Sequence, residues 1–415
     1  MNLDSLVSQA KMQFDLTEAE HQRSLYRLAD SLLDMPDLSL SAVKKLALHA
    51  DTPLEFKIAA KLVESKLLVQ KIQRAVHIGI VFAMWGEHNR LQPKTGGNPH
   101  GEDALRVKLD QLAWITQSSP VSWTLYAVDD GCPHNSGQIA AEIAADHPLA
   151  DSVKVLFLKD AISAEHGGLS GLNSVDDSRK GGAVILGAMQ ALADGVDAMI
   201  YTDADNSVHL GQIGLLLDPW LNQQIPVVLG NRKHPEAVLV KQEARWGIGI
   251  KVLRHIQRMI GQAIFSRNIL DTQAAFKLYD KEVLQQIIYE PTVYDFSFDT
   301  DWILAVLAMD KAFAKVPFAF IDSAAESASI TQGPMTTWET LLKGLCKAVR
   351  KHQMPHNEDM ARVLDEEIHS SKDLDLLINH LPDELQHASD SELGDTAIMS
   401  PVAVQAWIKQ IKSRA

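Results

Sequence analysis

The sequence predicts an α/β protein: a mixed, mainly parallel sheet flanked by helices, with helical extensions at both ends. Three observations carry that expectation. Short β-rich runs at Val76–Ala83, Trp123–Val128, Val153–Leu158, Ala198–Thr202 and Ile225–Leu229 alternate with helix-like stretches at Asp103–Thr116, Gly137–Ala145 and Gly182–Leu192. Buried parallel strands separated by crossover helices leave this pattern. A chain of 415 residues suits one large α/β domain of roughly 250 residues plus additions. The flanks, before residue 72 and after 336, carry helical periodicity instead.

The elements follow in order. Thr52-Pro53-Leu54-Glu55 reads as a helix start, with a hydroxyl N-cap, proline at the first helical position and glutamate at the third. Behind it Phe56, Ala59, Ala60, Val63, Leu67 and Gln70 recur at three- and four-residue spacing. That stripe needs an apolar partner, and a packing subdomain or a homodimer contact through the extensions would supply one. After the strand-rich middle, Thr337-Trp338-Glu339 opens another helix, and a tail punctuated by Pro355 and Pro382 follows, loose at Ser389–Thr396. Between Glu358 and Asp395 twelve carboxylates face only Arg362 and Lys372, the pattern of a solvated helical face. The expected division is residues 1–72, an N-terminal helical extension; 73–335, the α/β domain; and 336–415, an acidic helical extension.

Composition narrows the function. An apolar fraction of 46% and a charged fraction of 22% are those of a globular protein with a sizeable core. A net charge of −14 gives no general attraction to nucleic acid or anionic lipid. Cys132 and Cys346 are too few for a disulfide framework, which suits a reducing compartment. No uninterrupted apolar run reaches membrane-spanning length, and Met1-Asn2-Leu3-Asp4-Ser5 does not begin a secretory signal, so the expectation is a cytoplasmic protein.

Ligands of mainly parallel sheets bind beyond the carboxyl ends of the strands. Glu87, Asp129 with Asp130, and Asp203 with Asp205 all stand at such ends. Asp203 and Asp205, one residue apart after Ala198-Met199-Ile200-Tyr201-Thr202, offer hard oxygens that can share Mg²⁺ or Mn²⁺ with a diphosphate. Ser178-Arg179-Lys180-Gly181-Gly182 joins cations and glycines to a helix N-terminus, an anion site by construction. Asp129 and Asp130 can accept hydrogen bonds from a base or a ribose, or cap the helix that follows.

Taken in order, these residues resemble the family-two glycosyltransferases of the GT-A (Rossmann-like) fold, especially the polyprenyl-phosphate mannose and glucose synthases. The resemblance rests on Val128-Asp129-Asp130-Gly131, Lys180-Gly181-Gly182, Asp203-Ala204-Asp205, Gly230-Asn231-Arg232, Asp271-Thr272-Gln273-Ala274-Ala275-Phe276-Lys277-Leu278 and Phe298-Asp299-Thr300-Asp301. It implies a metal-dependent hexosyltransferase that uses a uridine or guanosine diphosphate sugar. Asp129 or Asp130 would meet the base, Lys180 the nucleotide, Asp203 and Asp205 the metal, and Arg232 the phosphates. Asp299 or Asp301 would stand beside the acceptor as the base, with Asp271 a further catalytic candidate. Glu87 is the one residue of the first strand end that aligns.

The chain departs from the pattern at Cys132, Ala275 and Asp301, where the family has serine, glycine and glutamate. No membrane helix accompanies the motifs, which favours a soluble acceptor over a lipid. Residues 88–105 form a long glycine-rich connection, expected to act as a lid or a substrate loop. His209 could complete the metal shell, and one or two of Arg245, Lys251, Arg254 and Arg258 could reach the diphosphate. Two other readings compete. Gly86-Glu87-His88-Asn89-Arg90 followed by Pro93 faintly resembles the signature of sugar-phosphate nucleotidyltransferases, and the domain could serve as a non-catalytic binding module.

Overall fold

The computed structural model describes residues 2–162, 167–241, 247–323 and 333–414. Nine strands are described: β1 (Val76–Met84), β2 (Val121–Asp129), β3 (Val153–Phe157), β4 (Ala198–Thr202), β5 (Val227–Gly230), β6 (Val238–Val240), β7 (Phe276–Asp280), β8 (Phe313–Val316) and β9 (Ala319–Ile321). Seven of them form one sheet in the order β3-β2-β1-β4-β7-β5-β8. All neighbours run parallel except β7, which is antiparallel to both β4 and β5. β6 and β9 make a separate parallel pair. The mixed, mainly parallel sheet read from the sequence is the one observed.

Strand alternation distributes the core between two faces. Ile78, Ile80, Phe82 and Met84 of β1 join Leu125, Ile200, Phe276 and Leu278 on one face, under the helices Ala104–Thr116, Ser136–Ala145 and Gly214–Asn222. Val81, Tyr126, Met199, Tyr201 and Tyr279 project to the other, under the helices Gly181–Ala193, Ile250–Ile260 and Phe298–Ala308. Leu342, Leu345, Val349, Met360, Leu364, Val404 and Ile408 of the C-terminal helices belong to that same second core.

Two local expectations changed. The helix at Leu54–Gln70 forms, but Thr52 does not cap it: its hydroxyl donates to the carbonyl of Leu46 at 2.7 Å, and Glu55 accepts from the N–H of Lys11 at 2.6 Å. This helix also buries Ile58, Lys61, Leu62, Ser65 and Lys66 outside the anticipated stripe. It packs between the helices Ala19–Leu33 and Gly214–Asn222 of its own chain, so its apolar surface is spent internally. The run at Ile225 joins the sheet only at Val227, because the N–H of Ile225 bonds to the carbonyl of Pro219.

Candidate active site

β4 is buried throughout, and the chain leaves the sheet at Asp203. Asp203 Oδ1 accepts from the ammonium of Lys180. Asp205 Oδ1 accepts from the N–H of Ser207 at 3.0 Å, a local turn that fixes the carboxylate. Each acid thus keeps one oxygen with no partner among the described residues. Burial works against ionising Asp203, yet Lys180, with Arg232 and Lys108 in range, holds its carboxyl below the ordinary range. Two half-buried carboxylates with open oxygens suit Mg²⁺ or Mn²⁺, which keep water and substrate phosphate as their other ligands. Among the described residues no three His, Cys, Asp or Glu side chains converge on a metal position, so substrate and solvent would fill the rest of the shell.

β1 and β2 end together, with Met84 opposite Asp129, and there the two neighbouring acids divide their tasks. Asp129 accepts from the N–H groups of Gly131 and Cys132 at 3.0 Å and of Gly137 at 2.8 Å. All its bonds are to backbone, so it builds the turn and caps the helix Ser136–Ala145. Asp130 accepts from Ser178 Oγ at 2.5 Å and from the N–H of Lys180 at 2.6 Å. Burial, with Asp129 adding to it, outweighs those two bonds and pushes Asp130 up to about 6. Lys180 holds φ at +80°, a conformation uncommon outside glycine. Asp130 on its N–H and Asp203 on its ammonium fix it in place. The helix Gly181–Ala193 starts directly after it, and the N–H of Gly182 donates to the carbonyl of Tyr294 at 3.0 Å and to Ser178 Oγ at 3.1 Å.

On the far side of β4 the sequence-derived candidates pair with one another. Arg232, just past β5, makes a two-pronged ion pair with Asp271 (Nε–Oδ2 2.9 Å, Nη2–Oδ1 2.7 Å), and its N–H donates to the same carboxylate at 2.7 Å. Burial opposes the charge on Asp271, but Arg232 keeps it below the ordinary range. Asp271 therefore orients Arg232 and is poorly placed to take a proton.

Lys277 of β7 is fully buried and donates to Asp299 Oδ1 and to the carbonyl of Ala274, both at 2.6 Å. Burial raises the pKa of Asp299 even though Lys277 opposes it, and Lys180 and Asp203 lie within its electrostatic range. Asp301 differs. Two residues along a helix turn a side chain by about 200°, and its carboxylate meets His352 Nε2 at 2.8 Å and the N–H of Thr292 at 3.0 Å. Of the two candidate bases the structure brings only Asp299 to the Asp203 side.

Glu87 is buried, with Oε2 2.7 Å from Arg90 Nη1. Burial raises its pKa and Arg90 counters. The connection after it is a folded loop. Asn98 Nδ2 bonds to the carbonyls of Asn89 and Pro93, Lys94 pairs with Glu18 at 2.6 Å, and a Cβ on Gly101 would lie 2.5 Å from Pro93. A loop pinned at those points does not have the freedom of a lid.

His209 caps a turn, accepting from the N–H of Gly211 at 2.9 Å, and burial drives its pKa down to about 3. That contact occupies Nδ1, while Nε2 is buried with no hydrogen-bond partner among the described residues. Lys251 bonds to the carbonyl of Gln386, and Arg254 and Arg258 pair with Asp390 at 3.6 and 2.9 Å, so this basic face is met by the acidic tail. Arg245 lies outside the described residues. Sequence reasoning missed Glu102 and the fully buried Lys108, which donates to the backbone carbonyl of Asp205. The only sequence signal of Lys108 was a charge on the buried face of an otherwise amphipathic helix, and Glu102, before that helix, had none.

No family profile matches the chain. Over 223 residues, 53% of this chain and 79% of the other, it is 24% identical to an undecaprenyl-phosphate mannosyltransferase of Micrococcus luteus. Among solved structures it is similar to a mannosyl-3-phosphoglycerate synthase from Rubrobacter xylanophilus (13% identity, 70% of this chain and 78% of that one, TM-score 0.47). It is also similar to the glucosyl-3-phosphoglycerate synthase of Mycobacterium tuberculosis solved with Mn²⁺, uridine diphosphate and glucosyl-3-phosphoglycerate (13% identity, 71% of this chain and 85% of that one, TM-score 0.45). The resemblance read from the motifs is thus borne out by a polyprenyl-phosphate mannosyltransferase among its relatives. Among the described residues no helix is long and apolar enough to cross a membrane.

Proposed function

We propose that this chain is a metal-dependent glycosyltransferase that moves a hexose from a uridine or guanosine diphosphate sugar to a hydroxyl or phosphate of a small or otherwise soluble acceptor. The observation that carries it is the pair Asp203 and Asp205 at the end of β4, each with an uncommitted carboxylate oxygen, beside the ammonium of Lys180. A divalent cation held by these two acids would neutralise charge on the departing nucleoside diphosphate. Lys180, whose ammonium pairs with Asp203, binds the same anion from the protein side. Asp130 and Glu87 face the nucleotide, and Asp129 keeps the turn between them in shape.

In the transfer, the acceptor oxygen bonds to the anomeric carbon as the bond from that carbon to the diphosphate oxygen breaks. The nucleoside diphosphate leaves with the electron pair. With a hydroxyl acceptor, the proton passes to Asp299, whose raised pKa suits a general base. A phosphate acceptor needs no base. The latter has support from Lys233 and Lys241, two exposed lysines with Asp271 in electrostatic range of both and Arg232 of the second.

The unpaired Cys132 and Cys346 favour the cytoplasm. A homodimer through the helical extensions would use exposed apolar residues such as Met12, Leu48 and Val402, and light scattering tests it.

The activity test uses labelled UDP- and GDP-hexoses with Mn²⁺ and a panel of phosphorylated small acceptors. Transfer with release of the nucleoside diphosphate is expected. Pyrophosphate release from a nucleoside triphosphate and a sugar phosphate, without nucleotide-sugar turnover, would reject the proposal in favour of nucleotidyl transfer.

A further inference from the structure

Under the Asp203-Ala204-Asp205 turn lies a set of charged residues that the transfer chemistry leaves unused. Lys108, in the helix Ala104–Thr116, is fully buried, and its ammonium donates to the backbone carbonyl of Asp205. Glu102, also buried, accepts from the N–H of Asn206 at 2.9 Å, and its own carbonyl accepts from Asn206 Nδ2 at 3.0 Å. The other oxygen of Glu102 is held by Ser323 Oγ. The carbonyl of Asp205 and the N–H of Asn206 are the two polar atoms of one peptide unit. Side chains from a single short segment, residues 102–108, therefore grip that peptide at both atoms.

A buried charged group is costly unless its bonds are well made, so two of them aimed at one peptide are informative. The peptide unit follows Asp205 directly, so its orientation sets where the Asp205 carboxylate points. Lys108 takes only the backbone carbonyl and consumes neither oxygen of that carboxylate.

We propose that Lys108 and Glu102 are positioning residues: they lock the Asp205–Asn206 peptide and so aim the Asp205 carboxylate at the cation shared with the diphosphate. The inference rests on the metal assignment of Asp203 and Asp205. Charge and position make opposite demands here. If Lys108 acted through its charge alone, it would repel a divalent cation, and its removal would tighten metal binding. If it positions the turn, removal weakens binding.

The test is a Mn²⁺ titration in the presence and absence of uridine or guanosine diphosphate, with free Mn²⁺ counted by its electron paramagnetic resonance signal. Lys108→Met is expected to raise the half-saturating Mn²⁺ by about 10- to 100-fold, the usual effect of removing an outer partner of a metal ligand. Metal-free nucleotide binding is expected to stay unchanged. Glu102→Ala should do the same, whereas Glu102→Gln, which retains an acceptor for Asn206, should stay near wild type. Equal or tighter Mn²⁺ binding in Lys108→Met overturns the proposal. Should that variant lose its cooperative melt, Glu102→Ala against Glu102→Gln decides in its place, and equal Mn²⁺ affinity in those two overturns it. No Mn²⁺ binding by the wild type would instead remove the metal assignment beneath it.

Discussion

Asp203 and Asp205 differ in what their neighbours take from them. Lys180 occupies one oxygen of Asp203, while Asp205 spends one on its own turn. Asp205→Ala is expected to abolish metal-linked nucleotide binding and to slow transfer by on the order of 10²–10³-fold, with the thermal melt unchanged. Steady-state rates and a Mn²⁺ titration check this. Asp299 and Asp301, two residues apart, should separate cleanly. Asp299→Asn should lower kcat with a hydroxyl acceptor by about 10²–10⁴-fold at constant donor KM. Asp301→Asn should cost about 1–3 kcal/mol of stability through Thr292 and His352 instead. The opposite assignment of kcat and stability losses would make Asp301 the base. Asp130 adds a pH signature. Its folded pKa, about 6, lies above the ordinary 3.8, so folding favours the protonated form. Its contribution is fully present below about 3.8 and is lost as pH rises through 6, a difference of about 3 kcal/mol. Asp130→Asn should flatten that part of the curve of unfolding free energy against pH. A curve parallel to wild type would contradict the burial argument.

The elements most legible in the sequence were those whose residues agree with their neighbours. β4 was bounded to the residue, and β1, β2 and β3 to within two, because each is an apolar run closed by turn residues. β7 was not seen as a strand. Lys277 interrupts its apolar run, and only the tertiary pairing with Asp299 explains a lysine buried there. β6, β8 and β9 are three or four residues long, too short for a periodicity to show. The site followed the same rule. Residues within compact motifs were found, whereas Glu102, Lys108 and the turn of Asp301 toward His352 depend on contacts distant in sequence. One contact between elements is unusually close: a Cβ at Gly344 of the helix Pro334–Lys351 would collide with Ser297 Oγ, at the start of the helix that carries Asp299. Gly344→Val is expected to cost about 1–3 kcal/mol by overpacking and to lower turnover by displacing that helix. A melt and a kcat equal to wild type would show that the two helices do not need this approach.

Across the whole molecule, the C-terminal helices complete the apolar core on one face of the sheet. A chain ended at residue 335 would expose that face, and it is expected to aggregate or lose its cooperative melt. A stable, nucleotide-binding truncation would make the C-terminal helices an appendage. The acidic tail also meets the basic helix Ile250–Ile260 through Asp390. A thermal-shift measurement with uridine and guanosine diphosphates, with and without Mn²⁺, tests the metal site at Asp203 and Asp205 most directly. Stabilisation by one of the two nucleotides that requires Mn²⁺, about 2.7 kcal/mol at a hundred times Kd, and that vanishes in Asp205→Ala, is the expected result. A shift of the same size without metal, or one retained in Asp205→Ala, would contradict it.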